Sequence, residues 1–296
     1  MPTPSLMFRP DLLAGARILV TGGGTGLGRV IAEACAQLGS TVYICGRRQS
    51  VLEETAKALS TAHAVRVVGL TCDIRDADST ESMLNAIWAD GGPLTGLVNN
   101  AAGNFVSRTE DLSARGFDAI TNTVSRGTFL VTLGCGKRWL TAGDRASVVS
   151  IVTTWVWNGS PFAVPSAMAK SAVNSMTQSL AVEWGGRGIR FNAVAPGIFP
   201  TEGMNARLDP QGKTFDLTTN PMQRTGEMSE LANLAVFLLG PGAEYLNGQT
   251  IAIDGGHYQS SGANFSALRH WSDDDWARAR SLIVRRSDQD KQQRTV

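Results

Sequence analysis

Apolar residues along this chain come in short dense runs separated by stretches of helical spacing. Arg17–Thr21, Thr41–Cys45, Ala64–Leu70, Leu94–Val98, Ala146–Val152, Ile189–Val194 and Thr250–Ile253 are rich in Val, Ile and Leu. Each has the length and continuity of a strand buried on both faces. Between them, apolar positions recur at helical spacing over Leu27–Leu38, Ser50–Leu59, Ala77–Trp88, Gly116–Leu140, Ala163–Trp184 and Glu227–Leu239. Asp76 reads as the N-cap of the third of these helices. The alternation predicts an α/β fold: a single Rossmann-type, doubly wound parallel sheet of about seven strands, with helices on both faces.

No linker divides the pattern, so one domain over 1–296 is expected, with its core at 11–258. The polar extension at 259–296 holds one helix, capped by Ser272 with Asp275 at the third position beyond it, and its last ten or so residues read as disordered. From Glu202 to Asn220 the composition turns to Pro, Thr, Asp and Asn without periodicity, which predicts a loop over the pocket.

Composition narrows the function. With 27 basic against 26 acidic residues the chain has a net charge of +1, which gives no electrostatic case for nucleic acid or for an anionic membrane surface. No apolar run reaches spanning length, and the first ten residues lack the apolar core of a signal peptide. A soluble, cytoplasmic protein is the expectation. Cys35, Cys45, Cys72 and Cys135 lie far apart with no CxxC and no His beside them, so neither a disulfide framework nor a metal site is expected.

The candidate chemistry begins where the first strand ends. Gly22, Gly26 and Gly28, with Thr25 and Leu27 between them, lead into a helix. Bare backbone at that place lets a pyrophosphate approach the free amides of the helix N-terminus. NAD sites carry an acid at the end of the second strand; this chain has Gly46, then Arg47 and Arg48. A guanidinium suits a 2′-phosphate, which an acid would repel, so the cofactor read here is NADP(H). Asp73, at the end of the third strand, suits the adenine rim. Asn99–Gly103, including Asn100, supplies small residues that let the chain pass beneath a dinucleotide. Further on, Ser150–Val173 brings together hydroxyls at Thr153 and Thr154, a predicted loop carrying Trp155, Trp157, Asn158, Gly159 and Pro161, and a helix on which Ser166 and Lys170 share one face.

Five motifs, in this order and spacing, resemble the short-chain dehydrogenase/reductase family across nearly the whole chain: Thr21-Gly22-xxx-Gly26-x-Gly28, Asn99-Asn-Ala-Ala-Gly103, Lys170, Pro196-Gly197 and Asp254-Gly-Gly256. The family's usual proton-donating tyrosine falls on Ser166, its strand-end serine on Thr153 and its relay asparagine on Val124. A serine hydroxyl cannot alternate between acid and base near neutrality as a lysine-assisted phenol does.

One branch shares these losses. The stretches Asn100–Phe105, Phe162–Lys170, Ala181–Gly185, Ala206–Pro210 and Ser261–Phe265 resemble mitochondrial-type 2,4-dienoyl-CoA reductases. The resemblance implies NADPH-dependent reduction of an unsaturated acyl-CoA by a homotetramer. Arg47, Asp73 and Asn100 would then serve the cofactor, as would Lys170 at its ribose and Pro196, Gly197, Ile198 and Phe199 at its nicotinamide end. Arg75, Phe105, Ser113 and Arg207 would meet the CoA ester. Asn104 and a tyrosine would hold the thioester oxygen, but the tyrosine's place is taken by Trp155, whose indole can donate a hydrogen bond and cannot accept one. Protonation would then fall to water held by Ser166, Thr153 or Thr154. A reductase of another ketone or enone, and a non-catalytic NADP-binding member of the family, are the alternatives.

Overall fold

Seven strands form one sheet in the order β3-β2-β1-β4-β5-β6-β7, and every pairing is parallel. They are β1 (Arg17–Thr21), β2 (Thr41–Gly46), β3 (Val67–Thr71), β4 (Gly96–Asn99), β5 (Ala146–Ile151), β6 (Ile189–Pro196) and β7 (Thr250–Ile253). The computed structural model describes residues 4–201, 217–262 and 265–294, and side chains as far as 285. The chain forms two units, Met1–Gly256, which holds the sheet, and His257–Val296.

The continuous apolar runs are explained by burial on both sides. Along β1, Ile18 and Val20 join one core layer and Leu19 the other; along β2, Val42 and Ile44 face one way and Tyr43 and Cys45 the other. The first layer is closed by α1 (Gly26–Gln37), α2 (Gln49–His63) and, late in the chain, α8 (Met228–Leu239); the second by α3 (Ala77–Ala89) and α5 (Thr128–Ala142) with Trp184. Side chains of a strand alternate between faces, so one run of apolar residues serves both layers. Cys35 lies in the first layer and Cys45, Cys72 and Cys135 in the second; all four are free and buried.

Local chemistry sets the ends of several elements. Asp76 accepts a hydrogen bond from Ser79 N–H at 3.1 Å and caps α3, as its place in the sequence predicts. Glu227 and Glu230 form a reciprocal capping box at the start of α8. Gly136 has no side chain because Trp184 fills the space: a Cβ there would collide with the ring, and its absence lets α5 lie close to α7 (Val164–Gly185).

The predicted helix 116–140 is observed as α4 (Ala114–Thr121) running into α5 through six residues, Asn122–Gly127, wound as a π-helix. The widened turn is supported by hydroxyls bonding back one turn: Thr121 to Phe117 O, Thr123 to Ala119 O and Ser125 to Thr121 O. Periodicity cannot reveal such a segment, since one added residue shifts the apolar stripe without erasing it.

Two expectations are corrected. Residues 155–158 do not form a loop: Trp155–Asn158 is a helical turn, α6, closed by Gly159 N–H donating to Trp155 O at 2.9 Å. In the second unit, after the turn α9 (His257–Ser260), the helix α10 runs from Asp273 to Arg294 through most of the segment read as disordered. Its start is the predicted cap, with Ser272 and Asp275 bonding reciprocally, and three acids in the first turn complement the helix dipole.

Candidate active site

The sheet order reverses between β1 and β4, and the crevice above the carboxyl ends of these strands is where a doubly wound sheet places a ligand. Thr21 is the node of that crevice. Its hydroxyl donates to Val98 O at 3.3 Å and accepts from the N–H groups of Asn100 and Ala101, both at 3.0 Å, tying the end of β1 to the turn after β4. The sequence marks Thr21 as the start of the glycine motif but assigns it no role in the site. The available signal was a hydroxyl at a buried strand end just before the first glycine.

The glycine loop fits a bound pyrophosphate. Gly22 and Gly26 have φ of +65° and +56°, a region costly for any residue with a Cβ. At Gly28 a Cβ would stand 2.5 Å from Gly22 O and would collide with the Asn100 amide, so α1 begins directly against the loop. A Cβ on Gly26 would meet only ordinary contact among the described residues, a Thr201 methyl at 3.8 Å. Thr25 is the N-cap of α1 but makes no side-chain capping bond, and Leu27 packs toward the core. The first amides of α1 and the Thr25 hydroxyl are left for an anion. Asn100 donates to Thr21 O at 2.9 Å; it shapes the loop, whatever it contributes to a cofactor.

Arg47 is exposed at the end of β2, just before α2. Asp73 is held by Arg75: Nε donates to Oδ1 at 2.8 Å and Nη2 to Oδ2 at 2.5 Å. That pairing, ahead of the opposing effect of burial, lowers the Asp73 pKa, and the same bonds raise that of Arg75. Expected to serve two different ligands, these residues meet each other.

Where the nicotinamide end is expected, Pro196 closes β6 and Gly197 N–H donates to Ile253 O at 3.0 Å. A Cβ on Gly197 would lie 2.8 Å from the Asp254 Cβ. Ile198 O accepts from Gly226 N–H at 2.9 Å, and the Phe199 ring is buried against Gly226.

The catalytic candidates gather past the ends of β4 and β5, which are paired. Lys170 is buried and its Nζ donates to Ile151 O at the end of β5; burial lowers its pKa from 10.5 to about 8. Ser166 is buried one turn earlier on α7, and Thr153 sits between β5 and α6. Trp155 is half-buried in α6, and its indole N–H has no partner among the described residues. Asn104 Oδ1 accepts from Phe105 N–H at 2.9 Å, which fixes the orientation of the amide and leaves its NH₂ as a donor.

Two loops are joined by Ser107 N–H donating to Phe162 O at 2.9 Å. Phe162 has φ of +60°, unusual for an aromatic residue and common near functional sites. The bond brings the segment bearing Asn104 and Phe105 to the one that leads into Ser166 and Lys170. Phe105 packs with Val156 against Ile120, Val124, Val152, Ala169 and Val173. Val124 is wholly buried there, so an apolar cluster closes the place where the family's relay asparagine would stand. Ser113 caps α4, accepting from Gly116 N–H at 3.1 Å, and Gly116 leaves room for the Phe105 ring. Arg207 lies outside the described residues. No group of His, Cys, Asp and Glu among the described residues could hold a metal ion, and no helix among them is long and apolar enough to cross a membrane.

A glycine crevice at the switch point, a buried lysine aimed at the end of the fifth strand, and hydroxyls around it define a nicotinamide-dependent oxidoreductase site. The chain belongs to the short-chain dehydrogenase/reductase family: the family model described as enoyl-(acyl carrier protein) reductase matches residues 22–258. It is 39% identical to a Caenorhabditis elegans protein named probable 2,4-dienoyl-CoA reductase, (3E)-enoyl-CoA-producing, across 97% of this chain and 95% of that one. A Bacillus subtilis (strain 168) protein named probable 2,4-dienoyl-CoA reductase, (2E)-enoyl-CoA-producing, is 36% identical across 81% of this chain and 96% of its own. Among solved structures, a citronellol catabolism dehydrogenase of Pseudomonas aeruginosa PAO1 superposes with a TM-score of 0.75 at 36% identity, covering 86% of this chain and 99% of that one. The Pseudomonas aeruginosa RhlG/NADP active-site complex superposes at 0.77 with 28% identity, covering 85% of this chain and 100% of the other.

Proposed function

We propose that the protein is an NADPH-dependent reductase of 2,4-dienoyl-CoA thioesters. The observation that carries the reading is the Ser107–Phe162 bond, which closes the Asn104 segment over the Trp155–Lys170 segment, with the Asn104 amide presenting its NH₂ group. Names of relatives support the substrate class.

NADPH, when bound, supplies the hydride. The glycine loop and the first amides of α1 hold its pyrophosphate, Arg47 its 2′-phosphate, Lys170 its ribose, and 196–199 its nicotinamide end. Asn104 and Trp155 donate to the thioester oxygen as negative charge builds there. Val124 closes the helix side of the site, so the proton comes from water held by Ser166 and Thr153. Phe105, Ser113, Arg75 and Arg207 are the residues assigned to the CoA ester, Arg75 through a guanidinium that Asp73 also holds.

The assembly is a homotetramer, built on the apolar side chains Phe129 on α5 and Val182 on α7, which are exposed in the single chain. Four free cysteines suit a reducing cytoplasm.

Mixing the protein with NADPH and 2,4-hexadienoyl-CoA and following nicotinamide absorbance tests the reading. Turnover with the dienoyl-CoA, and none with simple ketones or free enones, is expected. NADPH binding without turnover on any acyl-CoA would replace it with a non-catalytic role.

A further inference from the structure

An open cleft of about 480 Å³ lies past the end of β3, lined by Asp73, Arg75, Asp76, Asn122 and Arg126. Its two guanidinium groups are not in the same state. Arg75 is neutralised by its bidentate bond to Asp73. Arg126 donates through Nη1 to Arg75 O and has no carboxylate partner among the described residues. Asp76 is already engaged as the cap of α3. The two acids and two arginines of the cleft balance formally, and among them Arg126 is the exposed charged group with no side-chain partner among the described residues, its Nε and Nη2 unused.

Arg126 owes its place to the π-helical segment. Gly127 lies against Ile74, where a Cβ would come within 2.7 Å of that side chain, so the segment is pressed onto the 73–76 turn. Val124, two residues earlier, belongs to the apolar cluster that supports Phe105. The same segment thus runs from the thioester end of the site to the cleft.

We propose that Arg126 binds a phosphate at the adenosine end of the acyl-CoA. The assignment rests on the acyl-CoA reading above and adds a residue to it. A second phosphate source is NADPH itself, but the cofactor's anionic groups already have the glycine loop and Arg47, both on the β1–β2 side. Arg126 is bonded instead to the 73–76 turn at Arg75 O, two residues after Val124 of the cluster that holds Phe105. A guanidinium with two free donors suits a phosphate oxygen pair.

The test uses Arg126→Gln, which keeps a donor for Arg75 O and removes the charge. With 2,4-hexadienoyl-CoA, KM rises about tenfold, the loss expected for a charge-assisted hydrogen bond, and kcat stays within about twofold. With the 2,4-hexadienoyl thioester of pantetheine, which has no adenosine phosphates, the variant and the parent behave alike. The Kd for NADPH is unchanged. Equal effects on both thioesters, or a shift confined to NADPH, would overturn the assignment, as would no effect on either. Titration calorimetry of free coenzyme A into the NADP-saturated protein makes the test independent of turnover. Binding by the parent, weakened about tenfold in Arg126→Gln, supports the assignment even if no dienoyl thioester is reduced, a result that would count against the reductase reading alone. No binding of coenzyme A by the parent sinks the assignment outright.

Discussion

The amide of Asn100 passes so close to Gly28 that no side chain can be built there, and it is the same amide that donates to Thr21 O at 2.9 Å. Loop shape and helix start are one packing unit. Gly28→Ala should destabilise the fold by about 1 to 3 kcal/mol, the usual cost of overpacking. Gly26→Ala meets no clash among the described residues and should cost only about 1 to 2 kcal/mol through its left-handed backbone. Its methyl group would project beside Thr201, where the cofactor is expected. Thermal melts with and without NADPH separate the two: Gly26→Ala folds but gains little on adding NADPH, whereas Gly28→Ala is weakened before any ligand is added.

Arg47 is exposed and stands where a 2′-phosphate is expected. Arg47→Ala should weaken NADPH about 10- to 100-fold, corresponding to about 1.5 to 3 kcal/mol for a hydrogen bond to a charged group. NADH affinity should be unchanged. Fluorescence titration of both cofactors measures this, and equal losses for the two would remove Arg47 from phosphate recognition.

The free indole N–H of Trp155 and the free NH₂ group of Asn104 have the same expected task. Removing one oxyanion donor costs about 2.7 to 4 kcal/mol of transition-state stabilisation. Trp155→Phe should therefore lower kcat about 10²- to 10³-fold with KM little changed, and Trp155→Tyr should keep or raise kcat. Unaltered turnover in Trp155→Phe would mean that the indole only packs.

Lys170 gives a stability test with a definite sign. Its pKa is near 10.5 in the unfolded chain and about 8 in the fold, because burial disfavours the charged amine. Between these values the unfolded state binds more protons, so raising the pH favours the native state. The stability of the parent minus that of Lys170→Met should grow between pH 8 and 10.5, by up to about 3 kcal/mol. Denaturant titrations across that range decide it; a flat difference would mean that the amine is not desolvated as the structure places it.

Strands and helices were legible because burial on both faces leaves a plain signal: the runs at β1, β2, β5 and β7 lie within a residue or two of their predicted limits. The cradle was also legible, since glycines at fixed offsets after a strand permit few other uses. What escaped depends on side-chain and backbone geometry that residue types alone do not fix, or on partners far away in the chain. Nothing local to Asp73 or Arg75 says that each is the other's first neighbour rather than a ligand's. The turn at Trp155–Asn158 was missed because two tryptophans beside Gly and Pro suggest a loop, whereas the observed turn is closed by its own backbone and packs through Val156 on the Phe105 cluster. The strain at Phe162 depends on Ser107, more than fifty positions earlier, and no sequence window spans both.

The buried cysteines lend themselves to a different use. Burial pushes Cys35 up to about 12 and raises Cys45 and Cys135 still further, so each thiol is protonated as well as shielded. Alkylating reagents need an accessible thiolate, and labelling must wait for the molecule to open. Cys35 reports the layer under α1, while Cys45, Cys72 and Cys135 report the opposite one. The order in which the four become modified would show which side of the sheet comes apart first, with no probe added to the native chain.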